Sequence, residues 1–247
     1  MSGRISRSLQ FSTAVRAGLI AATPPFVAWP DAAIARLAEA SRLVEYPRGA
    51  LLAMRGGRAT AMQLIVSGNV EASSTDASGR RFTFRPFIVG QIASLLSFVD
   101  GREMPNDVLA TEDSLALEIP YAAIRAELDL APGLWESIAM ELGARARLYT
   151  GQIKSLAFDS LRSRMASLLL DLAETRGECA NGGATAIKPR LPQEKLAEML
   201  GVSRQTATAM VKEMSEEGLL KWRYGRVELL DLPRLRGIAR MGVDGSI

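Results

Sequence analysis

The stretch Leu191–Leu220, LPQEKLAEMLGVSRQTATAMVKEMSEEGLL, constrains the fold more tightly than any other part of the chain. Pro192 suits the opening of a helix, because its fixed φ fits the first turn and no partner awaits an N–H there. Leu196, Met199 and Leu200 fall on one face of that helix, and Ala197 is small where a second helix would cross. Gly201 fits a left-handed turn, which glycine adopts without steric cost. Ser203 can cap a second helix with an inward face of Ala207, Met210, Val211 and Met214, and Glu216-Glu217-Gly218 ends it. Small, glycine and apolar residues at this spacing predict a helix-turn-helix.

Ser203, Arg204, Gln205 and Thr208 then stand at the outward start of the second helix. Arginine can bridge guanine O6/N7 and glutamine adenine N6/N7, so these types suit base edges in a major groove. A plain helical hairpin with a solvated Arg-Gln face would carry the same residues. The next segment argues against that: Lys221-Trp222-Arg223-Tyr224-Gly225-Arg226 before Val227–Leu230 reads as a tight basic and aromatic hairpin. Such a wing can lie against phosphates, with Lys212, Arg223 and Arg226 as the anchoring cations.

Composition bounds the chemistry available elsewhere. Histidine is absent from the 247 residues, which removes Ser–His and Cys–His triads, histidine-ligated haem and most zinc and non-haem iron sites. No base, nucleophile and metal-ligand constellation can be assembled, so an enzyme is disfavoured and no cofactor is expected. The single Cys179 excludes an intrachain disulfide and fits a reducing compartment; it is expected in a Gly/Asn-rich loop, Arg176–Ala184. No apolar run approaches the roughly 18 residues of a membrane span. The net charge of +3 is matched by an N-terminal arm, residues 1–25, with Arg4, Arg7 and Arg16 and no acid. Its basic start invites a signal-peptide reading, but Arg16 interrupts the apolar run, and a disordered or loosely docked arm is expected.

Between these ends the texture changes twice. Asp31 opens a short helix with Ile34 and Leu37 inward. After Tyr46-Pro47-Arg48-Gly49, short alternating segments follow at Ala50–Met54, Met62–Val66, Val70–Ser73, Arg81–Ile88, Val108–Ala110 and Leu115–Ile119, parted by glycine-rich turns. Strands of this length and spacing predict an antiparallel barrel or jelly roll. From Tyr121 the pattern is helical. Past Pro132, the residues Leu134, Ile138, Leu142, Tyr149, Ile153 and Leu156 make a heptad-like stripe that could pack on its own domain or on a partner helix. A further helix with Leu161, Met165, Leu168, Leu169 and Leu172 precedes a Gly/Ala-rich link, Thr175–Pro189.

In this order, the chain from about Phe26 to Leu235 resembles the Crp/Fnr family of bacterial transcription regulators. Gly201-Val202-Ser203-Arg204-Gln205-Thr206 and Leu156-Ala157-Phe158 carry most of the likeness, supported by Tyr46-Pro47-Arg48-Gly49 and Leu64-Ile65-Val66-Ser67-Gly68. The resemblance implies an α+β chain with four parts: the basic arm at 1–25, a cyclic-nucleotide-binding-like jelly-roll sensor at 26–130, a dimerisation helix at 131–157 and a winged helix-turn-helix at 158–247. It also implies a cytoplasmic bacterial homodimer on palindromic double-stranded DNA, which touches RNA polymerase where it activates.

The departures are as informative. In relatives that bind cyclic AMP, a Gly-Glu pair and an Arg-Ser/Thr-Ala run hold the ligand; here Ser94-Leu95 and Met104-Pro105-Asn106 stand at those places. Tyr149 and Thr150 fall where those relatives face the adenine. The sensor cysteines and histidines of other branches are missing, so the effector is unnamed. In the recognition helix the family's second arginine falls at Ala209 and its usual glutamate at Gln205. A ligand-binding or adaptor module with a degenerate DNA-binding domain is the alternative; the outward Arg204-Gln205-Thr208 set speaks against it.

Overall fold

The computed structural model describes residues 4–5, 11–77, 79, 81–180, 184–188 and 190–243. These fall into two compact units, residues 1–79 with 83–146, and residues 80–82 with 147–247.

In chain order the first unit holds β1 (Arg4–Ile5), α1 (Thr13–Ala21), α2 (Asp31–Ala40), β2 (Arg42–Tyr46), β3 (Leu51–Ala53), β4 (Ala61–Ser67), β5 (Val70–Thr75), β6 (Arg81–Phe87) from its third residue on, β7 (Ile92–Ala93), α3 (Leu95–Asp100), β8 (Asp107–Ala110), β9 (Ser114–Pro120) and α4 (Tyr121–Leu130). A 3-10 turn at Pro132–Leu134 leads into the long helix α5 (Trp135–Phe158). The strands form two sheets, ordered β1-β2-β9-β4-β7 and β3-β8-β5-β6.

Alternation along the strands of the first sheet sorts their residues into two cores. Met62, Leu64, Leu117 and Ile119 pack against the helices with Ile20, Phe26, Leu37, Phe98, Ile124 and Leu128. Ile65, Val44, Tyr46 and Ala116 turn the other way and meet Leu52, Val70, Met104 and Val108. A fully buried Leu or Ile stabilises by roughly 1.5–3 kcal/mol, so both faces are needed. Gly68 closes the β4–β5 turn at φ +87°, where a Cβ would collide with Ser114.

The first expected strand starts earlier than the turn signals imply: β2 precedes Tyr46-Pro47-Arg48-Gly49 and pairs with β9 from Arg42↔Glu118 to Tyr46↔Ser114. The arm expectation is corrected within residues 11–25. There α1 is capped by Ser12 and packs on α2 with Ile20 wholly buried, while the Arg16 guanidinium donates to the Ser41 carbonyl. Ala17, Leu19 and Ala21 pack beside Ile20 on the same core; the sequence alone showed them no partner, and α2 supplies it. Residues 1–3 and 6–10, Arg7 among them, lie outside the described residues.

The second unit continues with α6 (Leu161–Arg176), β10 (Gly177–Cys179), β11 (Thr185–Ile187), α7 (Gln193–Leu200), α8 (Arg204–Glu216), β12 (Leu220–Arg223), β13 (Arg226–Leu229) and α9 (Leu232–Val243). Its sheet runs β10-β11-β13-β12. The expected Gly/Ala-rich link is therefore partly a hairpin, and Cys179 sits exposed on β10 rather than in a loop. Met165, Leu169, Leu196, Ala207, Val211, Met214, Val227 and Leu235 share one core. No helix among the described residues is long and apolar enough to cross a membrane.

Candidate functional site

The helix-turn-helix forms as its residues dictate. Gly201 caps α7 at φ +68°, and the Ser203 hydroxyl accepts from the Thr206 N–H at 3.1 Å to cap α8. Leu196, Ala197 and Leu200 meet Ala207, Val211 and Met214 in the core, while Met199 and Met210 are half-buried beside them. Arg204, Gln205, Thr208, Ala209 and Lys212 are all exposed on the opposite face of α8. The Arg204 and Gln205 side chains have no partner among the described residues, so their donors are available to a ligand. Thr208 is outward but its hydroxyl faces home, 2.9 Å from Gln193 Oε1 and 2.8 Å from the Arg204 carbonyl. Lys212 stands 3.7 Å from Glu216, an exposed pair of little energetic consequence.

The wing is the hairpin β12–β13, turning on Tyr224 and Gly225 at φ +50° and +75°. Two positive φ values in a two-residue turn match strand twist, but the first is normally Asn, Asp or Gly. Tyr224 is 93% exposed. Arg223 and Arg226 are direct cross-strand partners, and like charges in that arrangement repel. Neither has an internal counter-ion. The Leu191 N–H donates to the Gly225 carbonyl at 2.7 Å, which brings exposed Arg190 alongside. Sequence reasoning missed Arg190, because only this pairing ties the chain before α7 to the wing. Among the described residues nothing compensates an aromatic in the left-handed region or neutralises these three guanidiniums; a polyanion would provide it.

The sensor residues are differently placed. Leu95 is fully buried and packed in the helical core. Ser94 is left-handed at φ 66° and buried; its hydroxyl donates to Gln63 Oε1 at 2.6 Å. The Ser94 carbonyl accepts from the Tyr121 hydroxyl at 2.7 Å, and burial pushes that phenol up to about 12, so it stays a neutral donor. Met104 is buried, Pro105 exposed and Asn106 half-buried.

A cavity of about 460 Å³ opens between the two sheets of the roll, and Met104 alone of the expected pocket residues lines it. Tyr149 and Thr150, which belong to the second unit, are not among its lining residues. Its floor is a polar row across three strands, since Arg42 pairs with Glu118 and Glu118 with Gln63. The Arg42 guanidinium grips Glu118 at 2.6–2.7 Å, and the Tyr46 hydroxyl donates to the other carboxylate oxygen. Burial and the neighbouring Glu118 charge hold the Tyr46 phenol well above its usual range. Sequence reading missed this row because it follows from cross-strand register; its signal was the alternation Arg42-x-Val44-x-Tyr46. No group of three or more His, Cys, Asp or Glu among the described residues could hold a metal ion.

On α5 the expected stripe divides. Ile138 is 1% exposed and, with Leu134 and Leu142 packed beside it, belongs to the first unit's own core. It is thereby withdrawn from a partner face. Tyr149, Ile153 and Leu156 are exposed, and stepping back by four and three reaches exposed Ala146, half-buried Leu142 and exposed Ala139. Arg145 ties the helix to β7, donating to the Ile92 carbonyl at 2.9 Å while paired with Glu141.

Comparison with known proteins places this geometry. A model described as a Crp-like helix-turn-helix domain matches residues 163–238, and one for the cyclic nucleotide-binding domain matches 43–129. The chain is 25% identical over 225 residues to the CRP-like cAMP-activated global transcriptional regulator of Mycobacterium tuberculosis, covering 91% of this chain and 97% of the relative. It is 26% identical over 194 residues to the cyclic AMP receptor protein of Thermus thermophilus, covering 78% and 86%. A CRP/FNR-family transcriptional regulator structure from Thermus thermophilus superposes with TM-score 0.67 at 25% identity, over 81% of this chain and 98% of that one. A crp/fnr-family regulator from Eubacterium rectale gives TM-score 0.74 at 19% identity, over 89% and 99%, a likeness of fold.

Proposed function

The chain belongs to the Crp/Fnr family of transcription regulators, and from that membership we propose that it binds a palindromic operator as a homodimer through α8 and the wing. The bare recognition face carries this reading: Arg204 and Gln205 project from the first turn of α8 with no internal partner. In these roles Arg204 reads guanine, Gln205 reads adenine, and Ser203 and Thr208 flank them at shorter reach. Ala209 offers only apolar contact, for instance to a thymine methyl. Arg223, Arg226 and Lys212 anchor phosphates, joined by Arg190. The operator therefore differs from one read by glutamate and a second arginine.

The dimer seam is Ala139, Leu142, Ala146, Tyr149, Ile153 and Leu156, spaced alternately three and four apart along α5. That is the spacing of a coiled-coil seam, and alanines at alternate positions allow close approach. The working division keeps residues 26–130 as sensor, 131–157 as dimer helix and 158–247 as DNA reader, with α1 added to the sensor. Two half-sites about one helical turn apart follow from the symmetry. The protein works in the bacterial cytoplasm and contacts RNA polymerase where it activates.

Relatives named for cyclic AMP do not lend that ligand to this chain. Leu95 cannot accept a ribose hydroxyl, and its burial in the helical core leaves it no access to one. Met104 brings a thioether to the place of the phosphate-binding arginine, and a buried charge without a partner costs several kcal/mol. Fluorescence anisotropy with genomic fragments tests the function. Saturable binding that weakens with salt and resists a shuffled competitor supports it; binding indifferent to Arg204→Ala refutes the assigned contact.

A further inference from the structure

We infer that the cavity between the two sheets of the roll is a binding site for a small organic carboxylate, with Arg58 as the residue that receives its charge. The inference rests on the sensor reading of this unit and names the class of effector it would take.

Among the described residues, three charged side chains line the cavity: Arg42, Arg58 and Glu118. Glu118 is buried and meets a donor at each carboxylate oxygen, Arg42 at one and Tyr46 at the other. That pair is electrically closed. Arg58, on the loop between β3 and β4, is exposed at the cavity's edge and has neither acceptor nor counter-ion among the described residues. The uncompensated charge of the wall is thus one guanidinium. Gln63 supplies a second unmatched donor: its Oε1 accepts from Ser94, and its amide nitrogen has no partner although the residue is buried on the floor. One fork of guanidinium donors and one amide N–H match the planar, singly charged carboxylate, which arginine binds in two parallel bonds.

The remaining wall selects the body of the ligand. Val44, Leu52, Met54 and Met104 offer apolar contact beside the polar lining of Tyr46, Thr60 and the Arg42–Glu118–Gln63 row. A short alkyl chain can lie on those four side chains while its carboxylate meets the polar part of the wall. A volume of about 460 Å³ falls within the usual range of small-molecule pockets. A polar row across the middle of an inward sheet face is also what an empty apolar core would avoid, because each polar member must be satisfied in place.

Calorimetry on the full chain with hexanoate, glycerol phosphate and cyclic AMP tests the inference. Hexanoate should bind saturably at one site per chain, and Arg58→Gln should weaken it about ten- to hundredfold, the worth of charge-assisted hydrogen bonds. Arg58 has no structural partner, so the melting temperature of the unliganded variant should match the wild type. Arg58→Lys should retain part of the affinity, keeping charge but losing the fork. Silence of hexanoate, or its undiminished binding to Arg58→Gln, overturns the inference. Binding of glycerol phosphate or cyclic AMP in preference to hexanoate overturns it too, in favour of a phosphate site. DNA binding measured without any of the three compounds reports on the operator reading alone, so the two readings can fail separately.

Discussion

The roll and the DNA-reading unit use the same side chains in opposite ways. Unlike Arg58 at the cavity's edge, three arginines of the roll are answered within the fold: Arg42 grips Glu118, Arg36 forks onto Glu127 at 2.6–2.7 Å, and Arg145 meets Glu141 and a carbonyl. On α8 and the wing, Arg204, Arg223 and Arg226 face solvent unanswered. The Arg36 guanidinium holds the Glu127 carboxyl below its ordinary range, so that pair stabilises above the unfolded carboxylate pKa and its contribution is lost as pH falls through the lowered one. Ion pairs closed within the fold stabilise the roll; cations left bare, as on α8 and the wing, are available to something charged.

The contrast can be broken most forcefully at α5, which carries both characters. Ile138→Ala should destabilise by about 2–5 kcal/mol, because the side chain is enclosed by its own unit. Ile153→Asp, at a site 65% exposed, should leave the melting curve nearly unchanged and instead split the dimer in sedimentation. A reversal of these two outcomes would return Ile138 to the partner face.

Next in size is the recognition helix. Arg204→Ala should cost about 1–3 kcal/mol on the specific site alone, the worth of a good bidentate base contact, as read by competition titrations. Arg223→Ala or Arg226→Ala should weaken binding to every sequence alike and flatten the salt slope by about one unit. Sequence-selective loss in either wing variant would make the wing a reader of bases. The smallest effect belongs to Tyr224. Tyr224→Asn suits the left-handed position better and should stabilise the unit by up to about 1 kcal/mol in denaturant titration, while weakening DNA binding. A variant that gains on both counts would show that the tyrosine has no task at the wing.

The two regions were also unequally legible. The helix-turn-helix could be read from Gly201, Ser203 and the 3.6-residue spacing of Leu196, Leu200, Ala207, Val211 and Met214, since local sequence sets every one of those positions. The strands from β3 to β9 were largely visible as alternation between turns. The cavity was not, because Arg42, Glu118 and Gln63 are more than 50 residues apart at their extremes and meet only through strand register. Family analogy pointed to Ser94, Leu95 and Met104, yet packing puts Leu95 on the far side of the sheet. The stripe on α5 was legible as apolar but not as divided, since spacing alone does not say which turn of a helix its own domain covers. The helix α1 was hidden by the basic residues around it.

The central claim is that a symmetric pair of bare recognition helices reads DNA, and selection from a random double-stranded pool tests it most directly. The account predicts enrichment of an inverted repeat whose half-sites are centred about 10 base pairs apart, with a guanine and an adenine in each half assigned to Arg204 and Gln205. Loss of the guanine preference with Arg204→Ala should accompany it. Failure to enrich any sequence, or enrichment of an unrepeated site that Arg204→Ala leaves unchanged, would contradict it.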